Sequence, residues 1–122
     1  MARQVRGRAP GYRQRLGAAG EDRAAEWYRR AGYEVVARNW RCREGELDLV
    51  VRNPDTLVFC EVKTRTSDRF GLPVEAVTPA KQRRIRALAA QYLRTEGQPA
   101  PGIRFDVVSV LGDRVDVVEA AF

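Results

Sequence analysis

Two short motifs each contain two charged residues that are separated by a single residue. Glu46 and Asp48 lie in GELDLVV, and Glu61 and Lys63 lie in VFCEVKT. Because residues i and i+2 of a strand point to the same face, each motif presents its two charges together. Carboxylate oxygens are good ligands for hard cations such as Mg²⁺, and a lysine beside them could stabilise charge developing on a phosphate. These residue types at this spacing suit a divalent-cation site with a lysine beside it.

The residues between the motifs predict how they meet. NPDT, residues 53–56, can form a four-residue loop around a type I turn, which closes an antiparallel hairpin and pairs Arg52 with Leu57. The same register puts Asp48 opposite Glu61. Directly opposed side chains have Cβ atoms about 5 Å apart, so these two carboxylates could share one divalent ion.

The register also puts Glu46 opposite Lys63. Leu57 and Phe59 share one face of the segment 57–63 with these charges, and the other face is apolar throughout, which predicts a central strand that is covered on both sides. Charges at the end of such a strand are costly unless they are paired or bound to metal. The alternative explanation is a salt-bridged cluster at a sheet edge, made of Glu46, Asp48, Glu61 and Lys63.

A third carboxylate comes from the first predicted helix. Glu21 precedes Ala24 and Tyr28 at helical spacing and therefore borders the buried stripe, whereas Asp22 and Glu26 should face solvent. A helix-surface charge at the border of the stripe is the alternative explanation for Glu21. With it, the predicted acidic site draws on a helix and two strands.

Composition excludes several kinds of chemistry. The 122 residues fit one domain and include no histidine, which excludes Ser-His-Asp and Cys-His catalysis and His-ligated zinc within this chain. Cys42 and Cys60 lack metal-ligand spacing; they could form one disulfide, but we expect two buried or half-buried free thiols. Only Lys63 and Lys81 are lysines among 22 basic residues. A lysine in the second motif suits a catalytic point charge, although chance also explains it.

The hydrophobic pattern predicts one α/β domain with the element order αβββαββ and a mixed central sheet flanked by helices. In the first helix, Ala24, Trp27, Tyr28 and Ala31 should be buried, and in the second Ile85, Leu88, Ala89 and Tyr92. Thr78 should cap the second helix, with Pro79 in its first turn. The predicted elements are helices Tyr12–Ala31 and 79–94, strands Tyr33–Trp40, 46–52, 56–64, 103–111 and 114–120, and a loop over 65–77.

Charge and hydropathy predict the kind of partner and the cellular compartment of the chain. Its net charge is +6, and residues 1–30 hold eight arginines against three acids. We expect residues 1–11 to form a flexible basic arm attracted to a polyanion, or alternatively a solvated tail, and residues 12–122 to form the domain. The chain lacks a stretch of about 20 apolar residues or a secretory signal, so we expect a soluble, cytoplasmic protein that does not enter a membrane.

Five segments resemble the YraN-like family, an uncharacterised family of small bacterial proteins. They cover nearly all of the chain from about Leu16 to Val110, and they are GEDRAAEWYRRAGYEVVARNWR, GELDLVV, LVFCEVKTR, GLPVEAVTPAKQRRI and RFDVVSV. The resemblance implies membership of the restriction-endonuclease-like superfamily, with similarity to archaeal Holliday-junction resolvases. It therefore implies a nuclease-like domain with a divalent-metal site.

The resemblance also implies roles for individual residues. Asp48 and Glu61 would be metal ligands that take part in catalysis, Glu21 would complete the acidic cluster, and Lys63 would be catalytic. Gln82 occupies a position on the second helix where related nucleases sometimes carry a polar residue, and it could support the site, as could the nearby Glu46. The cofactor would be Mg²⁺ or Mn²⁺.

The expected activity is hydrolysis of phosphodiester bonds in DNA, selective for branched structure. Contacts to phosphates position a duplex without reading its sequence, which suits such an enzyme. The candidate phosphate-binding residues are Arg65, Arg69, Arg83 and Arg84. Arg83 and Arg84 could instead be ordinary helix-surface charges. Similarity to resolvases favours a homodimer, and the alternative function is a non-catalytic DNA-binding or DNA-processing subunit with the same fold.

Overall fold

The computed structural model describes residues 12–66, 77–97 and 101–122, with side chains from residue 17 onward. Its elements are α1 (Tyr12–Arg30), β1 (Glu34–Cys42), β2 (Gly45–Arg52), β3 (Thr56–Arg65), α2 (Pro79–Glu96), β4 (Gly102–Leu111) and β5 (Arg114–Val118). This order confirms the predicted αβββαββ pattern, and each boundary lies within two residues of its prediction. The predicted arm, residues 1–11, and most of the loop over 65–77 lie outside the described residues.

The five strands form one mixed sheet in the order β1-β2-β3-β4-β5. β3 and β4 run parallel, and the other neighbouring strands are antiparallel. Parallel neighbours need a long crossover connection, which here contains α2. β3 is therefore the central strand, as its apolar faces predicted.

Each helix covers one face of the sheet. Leu57 and Phe59 of β3 pack in a core cluster with α2, whereas Val58 and Cys60 pack in a second cluster with α1. Successive strand residues point to opposite faces, so the two helices lie on opposite sides of β3. The result is a single α/β domain of three layers, with Glu61 and Lys63 on the face covered by α2.

The helix predictions are confirmed with one exception. α2 buries the four residues of its predicted apolar stripe, and Thr78 caps it by accepting a hydrogen bond from the Lys81 amide. In α1, Ala24 and Tyr28 are fully buried. Ala31 is exposed, because α1 ends at Arg30 and Ala31 lies in the following turn. The prediction that Ala31 belongs to the buried face was therefore wrong.

A buried carboxylate ties α1 and the end of the chain to β4. Asp106 is fully buried and accepts hydrogen bonds from the Tyr28 hydroxyl at 2.7 Å and the Ala120 amide at 3.0 Å. Arg104 donates to both of its oxygens, at 2.9 and 3.0 Å. Asp106 is therefore paired and hydrogen-bonded, the condition under which a buried charge is tolerated.

Two further expectations concern cysteines and membranes. Cys42 and Cys60 are both free thiols, as predicted. Within the described residues, neither helix is long and apolar enough to cross a membrane.

Candidate active site

The hairpin between β2 and β3 has the predicted register. Arg52 pairs with Leu57, and the ladder continues to Leu49 opposite Cys60. The loop is set by Asn53, whose side-chain oxygen accepts hydrogen bonds from the amides of Asp55 and Thr56. A polar side chain that bonds the backbone two or three residues ahead fixes a turn. Extending this register by one residue brings Asp48 opposite Glu61.

At Asp48 a side-chain hydrogen bond follows the last backbone pair between β2 and β3. Asp48 Oδ2 accepts a hydrogen bond from the Val62 amide at 2.9 Å. The paired residues of β2 and β3 stop at Leu49 and Cys60, one step before the two carboxylates. The Asp48 carboxylate is thereby fixed against the segment of β3 that carries Glu61 and Lys63.

The neighbouring strand β1 is distorted at the same level. Asn39 lies opposite Asp48, between the pairs Arg38–Leu49 and Trp40–Leu47, and has a φ of 51°. Positive φ is uncommon for residues other than glycine, and asparagine tolerates it best among them. Leu47 packs with the α2 cluster whereas Leu49 packs with the α1 cluster, so the alternation of β2 is interrupted at Asp48. Local distortion of this kind often accompanies functional sites.

Burial and neighbouring carboxylates raise the pKa of Asp48 to about 7. Burial contributes most, followed by the charge of Glu61, and the Val62 amide partly opposes them. Glu21 and Glu46 add smaller effects in the raising direction. A carboxylate that burial and like charges disfavour gains when a cation approaches.

Two ammonium groups meet on one oxygen of Glu61. Lys81 Nζ lies 2.6 Å from Glu61 Oε2, and Lys63 Nζ lies 3.3 Å from the same atom. The Glu61 side chain is 11% exposed, so this contact is shielded from solvent. The only two lysines of the chain therefore converge on Glu61, which the family resemblance predicts to be a metal ligand.

The two lysines respond to this site in opposite directions. The pKa of Lys63 is lowered, mainly by burial and then by Lys81 beside it. Burial is the largest single influence on Lys81 and lowers its pKa, but the interactions with Glu61, Lys63 and Asp48 together outweigh burial, so the pKa of Lys81 is raised. Lys81 is therefore the more firmly protonated partner of Glu61.

Glu21 approaches the site from α1. Its side chain is 17% exposed, with Arg38 Nη2 3.9 Å from Oε1 and the Asn39 side chain near the carboxylate. Burial raises the pKa of Glu21, and these two partners oppose the rise. Asp22 is 68% exposed and pairs with Arg38 at 2.7 Å. Glu21 is thus the partly buried acid of this turn, as predicted, and it is close enough to influence Asp48.

The glycine before Glu21 allows α1 to approach β3 closely. A Cβ at Gly20 would lie 3.2 Å from Thr64 Cβ and closer still to Thr64 Oγ1. Real Cβ atoms hardly ever make such contacts, so a larger residue would push α1 and β3 apart. Gly20 therefore determines how near Glu21 comes to the strand that carries Lys63.

Two predicted supporting residues contact other partners. Glu46 forms an ion pair with Arg41 of β1 at 3.1 Å, rather than one with Lys63, because the β2–β3 ladder has already ended. The Gln82 side chain donates to the Val77 carbonyl at 3.1 Å and so stabilises the entry into α2. Of the two, Glu46 still acts on the site through its charge.

The predicted phosphate-binding arginines lie on different parts of the fold. Arg83 and Arg84 are exposed in the first half of α2, next in sequence to the Lys81 turn. Arg65 is partly buried at the end of β3, where it pairs with Leu111 of β4. Arg69 lies outside the described residues.

A metal ion at this site would have few protein ligands. Within residues 12–66, 77–97 and 101–122, no group of three Asp, Glu or Cys side chains is arranged to hold a metal ion. Mg²⁺ commonly uses only one or two carboxylates, and water and substrate phosphate complete its shell. Asp48 and Glu61 fit that requirement by donor type and by their place on adjacent strands.

Sequence reasoning missed two residues of the site. Lys81 gave one signal, because it is the only other lysine in an arginine-rich chain and lies in the first helical turn, where a cation opposes the helix dipole. Asn39 gave a weaker one, as a polar residue within the apolar segment YEVVARNW. Neither signal revealed which carboxylate the residue would contact.

Comparison with known proteins identifies relatives of nearly full length. The chain is 54% identical over 117 residues to a UPF0102 protein of Nocardia farcinica, with 92% of each chain covered. It is 53% identical over 96 residues to one of Symbiobacterium thermophilum, covering 79% of this chain and 81% of the relative. One of Syntrophus aciditrophicus is 45% identical over 112 residues, covering 88% of each.

The model of one protein family matches residues 20–110 and is described as "Uncharacterised protein family UPF0102". The match begins at Gly20 and spans every carboxylate and lysine of the site. It agrees with the YraN-like resemblance seen in the sequence motifs. The chain belongs to the UPF0102 family.

Proposed function

We propose that this protein is a metal-dependent DNA endonuclease that hydrolyses phosphodiester bonds. One observation carries the proposal: Asp48 is fixed to the Val62 amide beside Glu61, and Lys63 lies on Glu61 at 3.3 Å. Two carboxylates can hold a divalent ion, and a lysine beside them can offset negative charge that develops on a phosphate. The raised pKa of Asp48 adds support, because a nearby divalent cation would relieve the repulsion that causes it.

Asp48 and Glu61 would hold Mg²⁺ or Mn²⁺, with Glu21 as a further acidic neighbour. When bound, such an ion would neutralise phosphate charge and acidify water. Lys63 would place its ammonium next to the developing negative charge, where low exposure strengthens the interaction. Its lowered pKa reflects that environment and would also let it release a proton more readily than an exposed lysine.

DNA would be held by phosphate contacts. Arg83 and Arg84 are exposed on α2, the helix whose first turn delivers Lys81 to the site. Such contacts carry no sequence information and suit recognition of branched structure. The resemblance to Holliday-junction resolvases supports that substrate class, and a homodimer would allow paired cuts in a symmetric junction. An enzyme acting on bacterial DNA would work in the cytoplasm.

The test is divalent-dependent cleavage of a panel of linear, flapped and four-way DNA substrates. We expect the wild type to cut at least one structure with Mg²⁺ or Mn²⁺ and not with EDTA. Asp48→Ala should remove both cleavage and metal binding. Lys63→Met should keep metal binding and lower cleavage by about 100-fold or more. Cleavage that persists at the wild-type rate in either variant would contradict the assigned roles.

A non-catalytic DNA-binding subunit is the second candidate function. The observation that favours it is the engagement of Glu61 Oε2 by both Lys63 and Lys81, which satisfies the carboxylate without any metal. A binder of this kind would bind branched DNA equally well with EDTA or Mg²⁺ and would cleave none of the panel. Its DNA affinity would also be insensitive to Asp48→Ala.

A further inference from the structure

The first turn of α2 delivers a cation to a predicted metal ligand. Lys81 Nζ is 2.6 Å from Glu61 Oε2, closer than the 3.3 Å of Lys63. Lys63 stands on the same strand as Glu61, two residues along, whereas Lys81 comes from a separate helix. An ammonium at this distance forms a charge-assisted hydrogen bond, and the low exposure of Glu61 protects it from water.

The local structure of α2 holds Lys81 at that place. The Lys81 amide donates to the Thr78 hydroxyl at 3.2 Å, which fixes the residue in the first turn of the capped helix. A cation there opposes the helix dipole, and the first turn contains no acid to compensate for it. Helix stability therefore does not account for a lysine at this position, whereas the contact with Glu61 does.

We propose that Lys81 is a positioning residue that competes with the divalent ion for the carboxylate of Glu61. This inference rests on the proposed function. The Lys81 ammonium occupies one of the two Glu61 oxygens through which a metal ion would be held. Metal binding must displace this contact, so Lys81 weakens metal binding when DNA is absent. It also keeps the Glu61 side chain oriented toward α2 until the metal arrives.

The experiment measures Mn²⁺ affinity of the full chain by calorimetry without DNA. Lys81→Gln and Lys81→Met should bind Mn²⁺ about fivefold or more tightly than the wild type, a typical size for coupling between two competing interactions. Lys81→Arg should bind Mn²⁺ with an affinity close to that of the wild type, because arginine retains the positive charge. Mere damage to the fold would weaken binding, so a gain in affinity separates the proposed role from a structural one.

Arg94→Gln is the matched control, since it removes one positive charge from an exposed position of α2 roughly 20 Å further along the helix. It should leave Mn²⁺ affinity unchanged. Glu61→Gln, alone or with Lys81→Gln, should abolish the binding and so locate the ion at Glu61. In cleavage assays, Lys81→Gln should reach its half-maximal rate at a lower Mg²⁺ concentration than the wild type.

The outcomes distinguish this inference from the proposed function. If the wild type binds Mn²⁺ and both neutral variants bind it equally or more weakly, the competition is refuted and the metal site stands. If neither the wild type nor any Lys81 variant binds Mn²⁺, the metal site itself fails. Mn²⁺ binding that appears only in Lys81→Gln and Lys81→Met would support both proposals.

Discussion

The carboxylate of Asp48 accepts the amide of Val62 on the adjacent strand at 2.9 Å and so replaces the next backbone pair of the hairpin. The contact needs a hydrogen-bond acceptor at position 48, and an ionised carboxylate is costly there because Glu61 lies beside it. Burial and that charge together raise the pKa of Asp48 to about 7. The Asp48 carboxylate is thus held in place by a hydrogen bond, while its negative charge is unfavourable there. This combination suits a binding site for a cation.

The raised pKa of Asp48 predicts how the metal-free protein responds to pH. The folded state binds the Asp48 proton more tightly than the unfolded chain, whose Asp pKa is near 3.8. Its contribution to stability is therefore fully present below about pH 4 and is lost as pH rises through 7. Asp48→Asn keeps an acceptor for Val62 and carries no charge. In EDTA at pH 8 it should be more stable than the wild type, by on the order of 2 kcal/mol.

Urea unfolding at pH 5 and pH 8, with EDTA throughout, measures this difference. The advantage of Asp48→Asn should grow from pH 5 to pH 8. Saturating Mn²⁺ at pH 8 should reduce or reverse it, because only the wild type gains from binding the ion. An advantage independent of pH would show that Asp48 titrates normally in the folded protein.

The close approach of α1 to β3 at Gly20 predicts that a larger residue there destabilises the protein. Gly20→Ala should destabilise the protein by about 1–3 kcal/mol, because the new methyl group meets Thr64 where no space exists. The substitution should also lower metal affinity by moving Glu21. Thr64→Ala in the same chain should recover part of the loss, since it removes the hydroxyl that the methyl group meets first.

Gly17 provides the control for helix propensity. It also lies in α1, and a Cβ there would meet no atom within 4 Å. Gly17→Ala should therefore stabilise the protein by roughly 0.5–1 kcal/mol, the usual gain from replacing glycine within a helix. If both substitutions stabilise, the close contact between Gly20 and Thr64 does not exist in solution.

Local sequence signals were sufficient to predict the hairpin that carries the acids. Asn53 and the loop NPDT specify the turn, and the turn specifies the register, so the placement of Asp48 against β3 followed from residues adjacent in sequence. The order and type of all seven elements followed from their hydrophobic periodicity for the same reason. These are short-range relationships that alternation and turn chemistry encode directly.

The contacts that sequence reasoning missed join elements distant along the chain. Lys81 reaches Glu61 only because α2 crosses one face of the sheet at a particular height, which no local pattern specifies. Glu46 pairs with Arg41, its direct partner in the β1–β2 ladder, whereas the β2–β3 ladder ends before it reaches Lys63. Packing of helices on the sheet and irregular strands therefore set the limit of prediction.

The burial of Asp106 predicts that removing its partner Arg104 destabilises the protein. Arg104→Met removes the bidentate partner of a fully buried carboxylate and should cost about 3–5 kcal/mol of stability. Arg104→Met combined with Asp106→Leu should cost less than Arg104→Met alone, because no unpaired charge then remains. Urea unfolding of the three proteins tests the order.

Arg23→Met is the control for this measurement. It breaks a surface ion pair with Asp113, whose side chain is 97% exposed, and should change stability little. Equal losses from Arg23→Met and Arg104→Met would show that burial of Asp106 does not determine the effect. A double variant less stable than Arg104→Met would indicate that Asp106 packs favourably even without its partner.

The exposed arginines of α2 predict the salt dependence of the proposed DNA binding. Arg83→Gln with Arg84→Gln should weaken binding to every DNA structure similarly, since phosphates are common to all of them. The slope of log K against log salt concentration should fall by about 2, one for each lost phosphate contact. Arg29→Gln with Arg30→Gln removes the same net charge from the far end of α1, where both arginines pair with Glu26. If this control reduces the slope equally, the net charge of the chain and not the α2 surface holds the DNA.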